Sequence, residues 1–140
     1  FFRVEGGWGG DRGPTEKFEF PERGPDHTVS YQTRSDQALL YRLNGDRNPL
    51  HSDPSFAALG GFPKPILHGL CTYGFTGRAL LHAICDSDPQ RFRSMEGRFS
   101  SPVMPGEKLE IRIWVDGEQI RFKTLASDRV VFDNGLLSTK

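Results

Sequence analysis

Cysteine is scarce in this chain of 140 residues, where only Cys71 and Cys85 occur. Two thiols cannot build the disulfide framework of a small secreted scaffold. With no second pair near them, they also lack the spacing of a structural zinc site. Surplus charge is missing too, since Lys plus Arg and Asp plus Glu each number 18. A nucleic-acid binder gathers an excess of Lys and Arg on one face, which this balance does not offer. No apolar run approaches the ~20 residues that cross a bilayer. The opening FFRVEGG has neither the charged start nor the apolar run of a secretory signal. The expectation is a soluble protein of a reducing compartment with no nucleic-acid or membrane partner. Because the first residue is Phe and not Met, the chain is expected to be a processed or partial piece of something longer.

What the chain has is enough apolar material for one core. Hydrophobic residues make up 36%, with 11 Phe among them, although the mean hydropathy is polar at -0.51. Plentiful aromatics and zero net charge argue against disorder. The length fits one ordinary domain.

Residues 1–14, FFRVEGGWGGDRGP, are rich in glycine and show no period, so they read as a linker or packed arm. Gly7, Gly9, Gly10 and Gly13 miss the spacing of a dinucleotide-binding loop. The remainder, 15–140, reads as a single domain. Phe18, Phe20, Val29 and Tyr31 alternate with polar residues, which predicts strand structure over 15–34, broken near Pro21–Pro25. SDQALLYRL predicts a short helix over 35–43, capped by Ser35 or Asp36. Asp53 followed by Pro54 predicts a second helix start, and Gly60-Gly61 its end.

Leu67 to Ile84 is apolar nearly all round and predicts a longer, buried helix. Gly74 and Gly77 lie inside it at a cost of roughly 1 kcal/mol each. Close backbone packing against a sheet or a partner is the expected compensation. From residue 91 to 137 the chain alternates. Leu109, Ile111 and Ile113 face one way, and Glu110, Arg112 and Trp114 the other. Pro105-Gly106 and Asp116-Gly117 mark turns. A four-strand antiparallel meander is expected. The sum is an α+β domain in which an antiparallel sheet wraps one central helix.

Chemistry concentrates in two segments. In YRLNGDRNPLH, 41–51, Asp46 and His51 share a loop that Asn48-Pro49 stiffens. A carboxylate and an imidazole on one rigid loop can aim at a single water, and histidine exchanges protons near neutrality. Asn48 is placed to hold that water or a substrate carbonyl. Asp46 and Asn48 are equally at home as plain turn residues. In PILHGLCTYGF, 65–75, His68-Gly69 opens the long helix. A helix N-terminus presents unpaired N–H groups, and glycine lets a ligand oxygen come close, which is how an oxyanion site is built. Glycine there also serves packing alone. Cys71 reads as core and Asp53 as a cap. Arg78 and Arg98 are candidates to hold an anionic ligand. No phosphate loop, nucleophile elbow or HExxH occurs, and nothing asks for a metal.

The run YRLNGDRNPLHSDPSFAALGGFPKPILHGLCTYGF strongly resembles the MaoC-like, hydratase 2 family of (R)-specific enoyl-CoA hydratases. The family pattern reads roughly Y-R-L-[S/T]-G-D-x-N-P-L-H-x-D-P, and Asn44 stands where Ser or Thr is usual. The resemblance extends from the Gly-rich arm through RFSSPVMPGEKL and so covers nearly the whole chain. It implies a hot-dog fold. It also implies reversible syn hydration of a trans-2-enoyl-CoA to a (3R)-3-hydroxyacyl-CoA, in fatty-acid or related acyl-CoA metabolism. The CoA thioester would be substrate, with no cofactor. On this resemblance Asp46 and His51 are the acid–base dyad, Asn48 positions water or substrate, and the Gly69 N–H is the oxyanion donor. His68 and Arg98 are expected to contact substrate.

Long members of the family carry two hot-dog repeats, so a partner is expected: a missing N-terminal half, a separate subunit, or a second copy as a homodimer. Two other readings stay open at this point. One is a hot-dog thioesterase or carrier-protein dehydratase; the other is a non-catalytic acyl-CoA-binding module. The ending LLSTK is not a peroxisomal signal, which favours bacterial cytoplasm, with the peroxisome as the expectation for a eukaryotic source.

Overall fold

The protein is described by a computed structural model covering residues 19–140. The arm, residues 1–14, and Phe18 lie outside the described residues. Five strands form one antiparallel sheet: β1 (His27–Gln32), β2 (Phe92–Phe99), β3 (Lys108–Asp116), β4 (Gln119–Ala126) and β5 (Arg129–Thr139), in the order β1-β3-β4-β5-β2. Between β1 and β2 run three α-helices: α1 (Gln37–Tyr41), α2 (Pro54–Leu59) and α3 (Gly69–Ala83). The α3 helix lies across the concave face of the sheet, and the core fills the space between.

Alternation sets the inner and outer faces. Leu109, Ile111 and Ile113 of β3 are fully buried with Phe122, Phe132 and Leu137 beneath Ala79 and Leu80 of α3. On the outer face Trp114 is also buried, because residues 19–25 cross over it. Phe20 packs on its ring at 5.1 Å, and its indole N–H donates to the Arg23 carbonyl. Among the described residues, the strand structure expected over 15–34 is therefore confined to His27–Gln32. Phe20 belongs to the crossing segment, where it fills space as an isolated aromatic anchor.

The expected meander holds for three strands. β3, β4 and β5 follow one another through tight turns, Gly117 supplying φ +62° in the first and Ser127-Asp128 taking φ +49° and +66° in the second. β2 pairs with β5 and not with its sequence neighbour β3. A segment rich in proline and polar residues, 100–107, carries the chain from the β2 edge across to β3. Alternation identifies strands but is silent on which neighbour a strand chooses.

The α1 helix ends at Tyr41 and tightens into a 3₁₀ turn over Arg42–Asn44. Asp36 stands at its N-cap without capping, because its carboxylate pairs with Arg34. Asp53 does cap α2, accepting from the Ser55 and Phe56 N–H groups. The α3 helix begins two residues later than expected, with His68 extended at its N-cap. Nor is α3 buried all round: Leu70 is 62% exposed, and Gly74 and Arg78 are exposed beside it. Gly77 meets Met95 on the inner side, whereas a Cβ at Gly74 would meet nothing within 4 Å.

One buried polar pair joins helix to sheet. Thr76 Oγ1 donates to the Thr72 carbonyl at 2.9 Å, so Thr124 Oγ1 is the donor across their 2.7 Å contact. Thr76→Val should strand the Thr124 hydroxyl and destabilise by about 1–3 kcal/mol. Thr124→Val should cost less, because Thr76 keeps its bond to Thr72. Replacing both should recover part of the larger loss. Denaturant unfolding of the three variants checks this order, and equal losses from the two single changes would contradict the donor assignment.

Candidate active site

The 45–51 loop is built from nested turns. Gly45 takes φ +104°, a backbone conformation that favours glycine, and turns the chain out of the 3₁₀ segment. Asp46 Oδ1 accepts from the Asn48 N–H at 3.2 Å, and Asn48 Oδ1 accepts from the Leu50 N–H at 3.0 Å. Pro49 then heads a 3₁₀ turn, Pro49–His51. The turn reading and the chemical reading of these residues are thus both satisfied. Each side chain commits one oxygen to the backbone, which fixes its direction. Asp46 keeps Oδ2, and Asn48 keeps its Nδ2 amide with no partner among the described residues.

His51 is oriented from outside the loop. Its Nδ1 lies 2.8 Å from the Ile66 carbonyl. A carbonyl only accepts, so Nδ1 carries the proton and Nε2 presents a lone pair. Ile66 belongs to the stretch leading into α3, which is itself held by Leu67 N–H on the Val103 carbonyl. The two sequence segments are therefore tied into one site. Asp46, His51 and His68 each bring a side-chain ligand atom within 4.8 Å of the others. The rings of His51 and His68 stack at 3.7 Å with 26° between planes. An ion between two stacked rings would sit out of both ring planes, away from the lone pairs, which makes this triad a poor metal cage.

Two cavities meet at His51. One, of about 420 Å³, is lined by Phe62, Leu67, Gly69, Phe99, Val103 and Val131 among others. The second, of about 290 Å³, is bordered by Ser35, Ser52, Lys64 and Pro65 and is the more polar of the two. Gly69 is the first residue of α3, and its N–H finds no acceptor among the described residues. The Phe99 ring stands 3.3 Å from where a Cβ at Gly69 would lie. Glycine here therefore serves packing and leaves the helix N-terminus open to a ligand.

The remaining candidates separate. His68 is only 2% exposed and lies beneath the His51 ring, so it does not form the cavity wall as a substrate contact would. Arg98 is exposed on the edge strand β2, opposite Asp133, and borders neither cavity at His51. Arg78 lies over the Tyr31 ring. Cys71 is core as expected, and burial pushes its thiol up to about 11. Tyr41 had no role in the sequence reading, although it opens the motif. Its ring lies 4.7 Å from His68, and burial raises its phenol, with Cys71 and Asp46 adding to the effect.

Fold and site together define a hot-dog domain in which an imidazole and an open helix N-terminus share one cavity and a carboxylate stands beside the imidazole. The chain belongs to the family of the MaoC like domain, whose model matches residues 17–133. It is similar to enoyl-CoA hydratase ChsH3 of Mycobacterium tuberculosis, with 50% identity over 92% of this chain and 45% of that protein. It is similar also to peroxisomal multifunctional enzyme type 2 of Drosophila melanogaster. The solved structure of that enzyme superposes with TM-score 0.85 at 45% identity, over 91% of this chain and 24% of that one. A MaoC-like dehydratase from Phytophthora capsici gives TM-score 0.87 at 39% identity, over 92% and 46%. The chain spans less than half the length of these relatives. Among the described residues no helix is long and apolar enough to cross a membrane.

Two measurements test the geometry. Asn48→Asp keeps a capping oxygen and should melt like the wild type, whereas Asn48→Ala should lose ~1 kcal/mol; equal melts for both would show that the cap is idle. Burial, with His51 adjacent, holds the His68 imidazole below the ordinary histidine range. The unfolded chain then takes up a proton near pH ~6.5 that the fold refuses. Stability from this group is full above that pH and declines as pH falls toward the depressed value. His68→Phe should flatten that part of the stability–pH curve.

Proposed function

We propose that this chain is the catalytic hot-dog repeat of an (R)-specific enoyl-CoA hydratase. It would add water reversibly across a trans-2-enoyl-CoA to give the (3R)-3-hydroxyacyl-CoA. The observation that carries this reading is the meeting of His51, with a bare Nε2, and the Gly69 N–H, without an acceptor among the described residues, on one cavity, with a free carboxylate oxygen of Asp46 beside His51 on the same loop. Relatives named as enoyl-CoA hydratases at about half identity support the same assignment.

Hydration of a conjugated thioester needs proton transfer at two carbons' reach of one oxyanion. His51 Nε2 takes a proton from water as the oxygen attacks C3. Negative charge then builds on the thioester oxygen, where the Gly69 N–H at the helix N-terminus meets it. Asp46 hands a proton to C2, and the proton that His51 took from water restores it, so the cycle closes with one water added. Both groups lie on one loop and approach from one side, which gives syn addition. The Asn48 Nδ2 donor orients the water. The apolar cavity beyond Gly69 suits an acyl chain, and the polar one bordered by Lys64 suits the CoA side.

A second hot-dog repeat or subunit completes this reading. Leu39, Leu40, Leu43, Leu59 and Leu70 are all half-exposed or more, and Leu70 lies beside Gly74, Tyr41 and Phe75 on the open side of α3. Such an apolar surface asks for a cover. The shared length with relatives, less than half of each, supports a companion repeat in the same chain or beside it. The compartment follows the source organism, peroxisome or bacterial cytoplasm.

The test is loss of the conjugated enoyl absorbance with crotonyl-CoA and a longer enoyl-CoA, with product stereochemistry read in parallel. Asp46→Asn and His51→Ala should each lower kcat by ~10²–10⁴. Asn48→Asp, folded like the wild type, isolates the loss of the Nδ2 donor. Release of free CoA without hydration would mark a thioesterase. A folded sample that is inert alone and with its companion repeat would mark a binding module.

A further inference from the structure

His68 is the buried polar group that this mechanism leaves unused. It is 2% exposed at the entry to α3, yet it makes no helix-capping bond with its side chain. Its Nε2 lies 3.2 Å from the backbone carbonyl of Asp46. That carbonyl can only accept, so Nε2 holds the ring's proton. Nδ1 is left bare, buried and without a partner. A second proton there would create a buried, unpaired donor and a buried charge. The neighbours reinforce this. His51 stacks on one face, the Tyr41 ring lies 4.7 Å away, and Arg42 adds a repelling charge, against which stand only the Asp46 carbonyl and carboxylate.

We propose that His68 is a positioning residue for the hydration step: a buried imidazole that clamps the Asp46 backbone and gives His51 a flat face to stack on. The clamp fixes the acid's backbone while the stack fixes the base's ring plane, so one buried side chain sets the register between them. The neutral ring matters for a second reason. When His51 takes the proton of water it becomes a cation, which a neutral aromatic face tolerates and a charged one would repel. Asp46 is exposed and His51 half-buried, so burial does not hold them, and the two supports from His68 add to the loop's own hydrogen bonds.

This inference rests on the hydratase reading for its kinetic arm alone. In the form that shows wild-type hydration, His68→Phe keeps the stacking face and loses the clamp, whereas His68→Gln keeps a donor and loses the face. Both are expected to lower kcat at least 10-fold with KM within about twofold, since small misplacements of reacting groups cost up to ~10²-fold. The acid limb of the pH–rate profile should move in both. A merely structural role would lower the melting temperature and leave kcat per folded molecule and the profile unchanged, and that result would overturn the proposal. A second arm needs no activity. Nitrogen NMR of histidine-labelled wild type should show His68 as a fixed Nε2–H tautomer through pH 5–8, and His51 as Nδ1–H. In both variants the His51 ring signals should shift and broaden, while the Ile66 carbonyl keeps the Nδ1–H tautomer. Titration of His68 near its ordinary pH, or His51 signals unchanged in the variants, would overturn the proposal whatever the enzyme does.

Discussion

The 2.8 Å hydrogen bond from His51 Nδ1 to the Ile66 carbonyl is the contact on which the site depends. It runs between a surface loop and the segment that feeds the central helix, fifteen residues apart in sequence. The Ile66 carbonyl selects the tautomer of the imidazole, and the stack on His68 is left to hold its ring plane. A carbonyl also cannot change protonation, so the tautomer it selects holds at every pH where His51 is neutral. The helix whose entry it anchors is the one whose first N–H opens on the cavity. One backbone group therefore ties the proposed base to the proposed oxyanion donor, and the sheet beneath holds both through the Thr76–Thr124 pair and the Leu67–Val103 bond.

What the sequence made legible follows from how local each signal is. Asp53-Pro54 as a helix start, Asp116-Gly117 as a turn and the inward run Leu109, Ile111, Ile113 depend on neighbours within a few positions, and all stand in the structure. The pairing of β2 with β5 depends on contacts some forty residues apart, for which alternation carries no signal. The α3 helix misled in a different way. An apolar composition measures only that a surface avoids water, and cannot say whether this chain or another covers it. Leu70 and Gly74 are apolar and open, so their burial is deferred to whatever lies on that face.

The site shows the same division. Asp46, Asn48 and His51 were visible because a short loop of fixed spacing holds them. Gly69 was visible because a glycine opening an apolar helix is costly without a reason. Arg98 entered on charge alone; it is exposed on β2 and borders neither cavity, although its neighbour Phe99 lines one of them. His68 entered as a neighbour of Gly69, and the helix geometry turns it inward, under His51, where sequence spacing could not place it. Tyr41 escaped notice because its part is a ring face against another ring, a role with no pattern in one dimension.

The double use of Asp46 and Asn48 explains how an exposed loop can be precise. A surface carboxylate with both oxygens free samples many rotamers, and fixing it at the moment of reaction would add to the barrier. Here one oxygen of each side chain is bonded to the loop's own backbone, so the second polar atom is aimed before any ligand arrives. The glycine at 45 permits the turn at φ +104°, and the proline at 49 and the cap at 53 restrict the backbone that follows. This stiffness comes from local bonds and needs no burial, so the loop stays open at the surface. His68 beneath it is buried, and exclusion of water there disfavours the charged ring.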